Sequence, residues 1–202
     1  MGKGTTLCVV PAALCLNWES ELKRHFINVS GFLYHGTCRK KKFQDYLLKN
    51  TSLPDIIICS YQSLASESDS PLFDIPFYRL IFDECHYIKN TSSAAFRAVS
   101  LLKSEVKWFM SGTPILNKSN EIHGILRLLG YEGLNALYTR SMSRYYYQQL
   151  QSILSQIAMR RYKKDVLKSL PSKKWVHSIT SMNGLELDFY TILKSYSRTR
   201  AI

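Results

Sequence analysis

Arg79-Leu80-Ile81-Phe82-Asp83-Glu84-Cys85-His86 is the stretch on which the fold turns: a largely apolar strand ending in two adjacent carboxylates, a small residue and a histidine. Such an ending can hold a magnesium ion on Asp83 and aim Glu84 at the water that attacks a nucleotide's terminal phosphate, because phosphoryl transfer needs both groups at one place. Taken by itself, the tetrapeptide Asp83–His86 fits a helix N-cap with a neighbouring carboxylate equally well. What favours the first reading is Ser111-Gly112-Thr113-Pro114, which again follows an apolar run and places a hydroxyl-bearing, glycine-flexed turn where it could sense a phosphate. Each motif alone is generic. Together they point to half of an NTPase site.

Outward from this stretch, residues 5 to about 130 alternate short apolar runs with amphipathic segments, the pattern of a parallel sheet covered by helices on both faces. The runs predict strands at Thr5–Val10, Phe32–His35, Asp55–Cys59, Arg79–Asp83 and Lys107–Ser111. The spacing of Trp18, Leu22 and Phe26 predicts a helix from about Asn17 to Phe26 with those residues on one core-facing side. Further helices are expected over about Ser92–Leu102 and Lys118–Leu129, the latter closed by Gly130 as a C-terminal cap. Arg39-Lys40-Lys41-Lys42 opens another, and Ser66–Pro76 reads as a loop. Beyond Tyr131 the alternation stops and the chain turns helical, Tyr/Gln-rich and then basic. The expected partition is therefore an α/β portion over 1–133 and a helical basic segment over 134–202.

With 202 residues, 46% of them hydrophobic, the chain can bury a real core. Its longest apolar runs are strand-sized rather than membrane-sized, and no signal-peptide core opens it, so a soluble intracellular protein with no membrane partner is expected. Five cysteines, at 8, 15, 38, 59 and 85, lack the paired spacing of a disulfide framework or zinc site. The net charge of +12 is concentrated toward the C-terminus: ten Lys/Arg from residue 160 onward stand against Asp165, Glu186 and Asp188. A polyanion partner follows, since Lys/Arg that neutralise phosphates release condensed counterions. A basic face kept for solubility is the plainer alternative.

Five ordered blocks give the chain a family resemblance, to the first motor lobe of the superfamily two helicase-like ATPases of SWI/SNF type. Cys8-Val9-Val10-Pro11 with Asn17-Trp18-Glu19 resembles the segment that contacts the DNA backbone. Asp55–Gln62 resembles the strand and helix start before the acidic box. Asp83-Glu84-Cys85-His86 with Tyr87-Ile88-Lys89-Asn90 is similar to the DEAH-like box and its continuation. Ser111–Asn117 with Leu128-Leu129-Gly130 resembles the coupling motif and the helix after it. Met159–Leu167 with Leu170-Pro171-Ser172-Lys173 resembles the arginine-rich bridge between lobes, with Tyr162 where the family usually has threonine.

The resemblance implies a parallel-sheet P-loop NTPase (RecA-like) lobe that uses ATP and magnesium and engages double-stranded or nucleosomal DNA in the nucleus. It places magnesium on Asp83, water activation on Glu84, and communication on Cys85 and His86. Coupling to movement falls to Ser111, Gly112, Thr113 and Pro114, and nucleic-acid contact to Pro11, Asn17, Trp18, Arg160, Arg161, Lys163 and Lys164.

The family's phosphate-cradling loop has no convincing counterpart here. Gly2-Lys3-Gly4-Thr5-Thr6 lacks a preceding strand and the spaced first glycine, and a strand rather than a helix follows it. The lobe is thus expected to lack its first strand and phosphate loop, with the missing motifs supplied elsewhere, for instance by a separate chain. Tyr145-Tyr146-Tyr147 is expected to pack a helix, and His35, His123 and His177 to be structural. The alternative function is a non-catalytic DNA- or partner-binding remnant of the same fold.

Overall fold

The structure is a computed structural model and describes residues 4–113, 121–131, 144–162, 165 and 174–199. Its centre is β1 (Thr6–Val10), whose five residues are all buried. Burial on both faces is what an uninterrupted run of Leu, Cys and Val is suited to. Around it stand β2 (Gly31–Tyr34), β3 (Ile56–Ser60), β4 (Phe77–Phe82) and β5 (Ser104–Phe109), all pairing in parallel in the order β2-β3-β1-β4-β5. The expected α/β parallel sheet is present.

Side chains alternate between two apolar layers. Leu7, Val9, Ile57, Cys59, Leu80 and Phe82 face the larger one, which also holds residues of α2 (Arg39–Lys49), α3 (Tyr61–Ala65), α4 (Ala94–Ser100), α5 (Ile122–Leu128) and α6 (Arg144–Ile157). Cys8, Val10 and Ile58 face the smaller one, covered by Cys15, Trp18 and Leu22 of α1 (Cys15–His25). On that same face β4 and β5 present Ile81 and Trp108 in register with Cys8, and Trp108 is 53% exposed. The Arg79 guanidinium lies 5.1 Å from the Trp108 ring.

Local chemistry explains the boundaries. Ser60 caps α3 by accepting from the Ser63 amide, and Ser93 caps α4 by accepting from Phe96. Asn90 hooks the Ser92 amide and hydroxyl, which holds the chain in a turn and starts α4 two residues later than expected. Gly130, at φ +91, ends α5 as expected: its amide donates to Arg127 O and that of Tyr131 to Leu126 O, a Schellman closure.

Two further expectations shift. β5 begins at Ser104 rather than Lys107, because Ser104 pairs with Phe77 and Val106 with Arg79 of β4 although Ser104 and Glu105 are polar, and β5, as an edge strand, tolerates that. Phe26 falls outside α1 and is 55% exposed, its amide capping Leu22 O, so only Trp18 and Leu22 pack inward from that trio.

The chain divides into two compact units, 1–156 and 157–202. In the first, α6 buries Tyr146 and Leu150 in the main core. In the second, α7 (Gly184–Thr199) is closed at its start by reciprocal bonds between Asn183 and Glu186, a capping box. Among the described residues no helix is long and apolar enough to cross a membrane.

Candidate active site

All five strands run the same way, so their last residues meet at one edge, the edge at which open α/β sheets bind ligands. There β4 delivers Asp83 and Glu84. The turn is pinned on three sides: the Asp83 amide donates to Val9 O of β1 at 2.9 Å, the Tyr61 hydroxyl donates to Asp83 O at 2.7 Å, and the Cys85 amide donates to Met110 O beyond β5 at 2.9 Å. Glu84 sits at φ 49, ψ 54, a left-handed conformation that a glutamate adopts only where its surroundings impose it.

Asp83 is held tightly. Its Oδ1 accepts from the Glu84 amide at 3.0 Å and its Oδ2 from Trp18 Nε1 at 3.0 Å. Glu84 Oε2 lies 3.2 Å from His86 Nδ1 and accepts from the Ser111 hydroxyl at 3.4 Å. Ser111 Oγ in turn accepts from the Thr113 amide at 3.1 Å. The structure therefore brings the acidic box and the Ser111-Gly112-Thr113 turn together through Glu84. Behind them, the Tyr61 and Tyr87 rings stack at 5.3 Å and 4°, with His86 4.9 Å from Tyr87. A 3₁₀ turn over Cys85–Ile88 carries the His86 and Tyr87 rings, Tyr61 opens α3, and Lys89 anchors the end of the turn by pairing with Glu121 at 3.1 Å.

Cys85 is 2% exposed, and burial pushes its thiol up to about 11. It stays protonated at neutral pH and serves as a small core residue that lets the turn lie close to the sheet. Burial drives the Tyr61 hydroxyl upward too, which keeps it a donor to the Asp83 carbonyl.

The donor set fits magnesium of one kind. Two adjacent carboxylates at a half-exposed edge offer hard oxygens, and no cluster of three or more potential ligands exists among the described residues. Magnesium bound by one or two carboxylates normally keeps several waters and takes substrate phosphates as its other ligands. Asp83 and Glu84 suit that arrangement and not a self-sufficient metal cage.

The other expected residues are spread more widely. Pro11 is buried and begins the turn into α1, where Asn17 is exposed. Arg160 and Arg161 are exposed in the second unit, with Arg160 4.9 Å from the Tyr162 ring. Pro114, Lys163 and Lys164 lie outside the described residues, as do Leu170-Pro171-Ser172-Lys173. Sequence reasoning gave no site role to Tyr61 or Tyr87. Tyr61 directly follows β3, and its place at the carboxyl edge was the one available signal.

An all-parallel sheet with an acidic pair ending β4 and a Ser-Gly-Thr turn following β5 defines the RecA-like lobe of a motor ATPase. The chain belongs to the SNF2-related domain family, which matches it over residues 2–200. It is 31% identical to transcription termination factor 2 of Drosophila melanogaster, with 98% of this chain and 19% of that protein covered. It is 35% identical to DNA repair protein RAD5 of Kluyveromyces lactis over 63% of this chain and 12% of that protein. Among solved structures, the Sulfolobus solfataricus SWI2/SNF2 ATPase core in complex with dsDNA superimposes with a TM-score of 0.67 and 27% identity, covering 83% of this chain and 36% of that one. The chain thus spans a fifth or less of these two curated relatives.

Proposed function

We propose that this chain is the part of a nuclear, DNA-stimulated ATPase, of the remodelling or DNA-repair type, that supplies the water-activating half of the ATP site. The observation that carries the reading is the Glu84 junction: one carboxylate at the sheet's carboxyl edge touches both His86 of the acidic box and Ser111 of the neighbouring turn. Magnesium, when present with nucleotide, would neutralise charge on the transferring phosphoryl group. Asp83 is the side chain placed to hold it. Glu84 accepts hydrogen bonds and is half-exposed, so it can orient a water and take its proton. Ser111 donates to that carboxylate and His86 lies beside it, so the Ser111–Thr113 turn is the neighbour suited to sense what Glu84 meets.

The phosphate cradle is expected from a glycine-loop segment other than Gly2–Thr6. Two features support a place for it: the outer edge of β5 is unpaired among the described residues, and Trp108 is exposed beside it. A further strand there could come from the same polypeptide or from another. Lys and Arg from residue 160 onward, with the segment Pro11–Trp18, are the groups suited to double-stranded or nucleosomal DNA. The RAD5 likeness and the dsDNA-bound Sulfolobus solfataricus core favour this over a remnant without catalysis.

The test is to join the chain to the glycine-loop segment and second lobe of a relative such as Drosophila transcription termination factor 2 and measure ATP hydrolysis with and without double-stranded DNA. Hydrolysis is expected to need magnesium and to rise with DNA. A folded chimera whose hydrolysis is absent, or identical without DNA, overturns the reading.

A further inference from the structure

Trp18 is expected from its spacing to be a core residue and from the resemblance to lie beside a nucleic-acid backbone, and neither role accounts for its one polar atom. Its indole Nε1–H donates to Asp83 Oδ2 at 3.0 Å, across 65 positions of sequence. The ring is half-buried against Cys8, Val10, Cys15, Leu22 and Ile58, so packing fixes the direction of the N–H. An indole is a donor only and carries no charge. It can therefore orient a carboxylate without neutralising it and without occupying a place on a cation. Glu84 N donates to Asp83 Oδ1 and Trp18 Nε1 to Oδ2, and each oxygen retains further acceptor capacity.

We propose that Trp18 is a positioning residue for Asp83: it holds the carboxylate in the orientation that accepts a divalent cation, and so ties the start of α1 directly to the acidic box. The proposal rests on the reading of Asp83 as the magnesium-holding carboxylate. Partners in this outer position around a metal ligand typically change affinity by roughly 10–100-fold. A ligand that shifts α1 through Pro11–Asn17 would change cation affinity at Asp83, and by linkage the cation would change that ligand's affinity equally.

Two measurements on the full chain, labelled with nitrogen-15 at tryptophan, separate this proposal from the reading beneath it. The three indole N–H resonances, from Trp18, Trp108 and Trp175, are assigned by replacement with Phe. Asp83→Asn, which leaves α1 untouched, is expected to move the Trp18 resonance and not the other two. An unmoved Trp18 resonance overturns the proposal. Mn2+ uptake by the protein without nucleotide, which would itself chelate the ion, is then followed by electron paramagnetic resonance of the free ion. Half-saturation is expected to rise roughly tenfold in Trp18→Phe and to stay within about twofold in Trp108→Phe. Equal half-saturation in Trp18→Phe and wild type overturns the positioning role while leaving the metal reading intact. If wild type and Asp83→Ala take up Mn2+ alike, the metal reading fails and the positioning role falls with it. Should Trp18→Phe lose its cooperative melt, the Asp83→Asn shift decides alone.

Discussion

At the scale of single residues, Asp83 is held by bonds from Tyr61, Trp18 and Glu84. Tyr61 donates its hydroxyl to the Asp83 carbonyl while its ring stacks on Tyr87, so removing the oxygen separates the two contributions. Tyr61→Phe keeps the stack and leaves a carbonyl unpaired, an expected loss of about 1–3 kcal/mol in denaturant-measured stability. A loss indistinguishable from zero would mean that the bond does not pin the turn. The Trp18 and Tyr61 contacts were not legible in the sequence. A side chain's partner 65 or 22 positions away is set by how helices lie on the sheet, and no local pattern records it. The carboxylate pair was legible only together with Ser111-Gly112-Thr113-Pro114 after the next apolar run, since by itself it fits a helix N-cap as well.

At the scale of elements, the acidic turn is wedged against α5. A Cβ added at Gly124 would lie 3.1 Å from Ile88 O, 3.2 Å from Lys89 O and 3.3 Å from the Phe96 ring. The backbone carbonyls belong to the turn that carries His86 and Tyr87 and cannot swing aside. Gly124→Val is expected to cost about 1–3 kcal/mol through overpacking, read as a lowered melting temperature, and a variant that melts with wild type would contradict the close approach. Strands with unbroken apolar runs, β1 and β3 above all, were legible to within a residue, because their burial on both faces leaves no polar alternation to misread. β5 was placed three residues late. Its pairing rests on backbone register with β4, and its polar first residues carry no apolar signal.

For the molecule as a whole, charge and protonation give separate tests. His123 of α5 is 8% exposed, and burial holds its pKa below the usual 6.5. Its Nε2 is 2.8 Å from the Tyr146 hydroxyl of α6. The unfolded chain then binds a proton at higher pH than the folded one, so stability is full above pH 6.5 and is lost as pH falls below it. His123→Gln is expected to flatten that acid slope of the melting temperature, and an unchanged slope would assign the loss to other groups.

DNA binding should follow counterion release. Arg160→Ala with Arg161→Ala is expected to reduce the slope of log affinity against log salt by roughly 2, whereas Asp83→Ala with Glu84→Ala leaves it unchanged. An unchanged slope in the arginine variant would remove the basic segment from the interface. Net charge placed a polyanion partner within reach of sequence reading, while which cations meet it depends on three-dimensional placement.

We propose above all that Glu84 activates the water that attacks ATP. Its most direct test is the turnover of DNA-stimulated, magnesium-dependent hydrolysis in the chimera carrying Glu84→Gln, with nucleotide and DNA binding measured alongside. A general base contributes about 10²–10⁴-fold, so turnover is expected to fall by at least about 100-fold with both bindings preserved. Turnover equal to that of the unsubstituted chimera would contradict it.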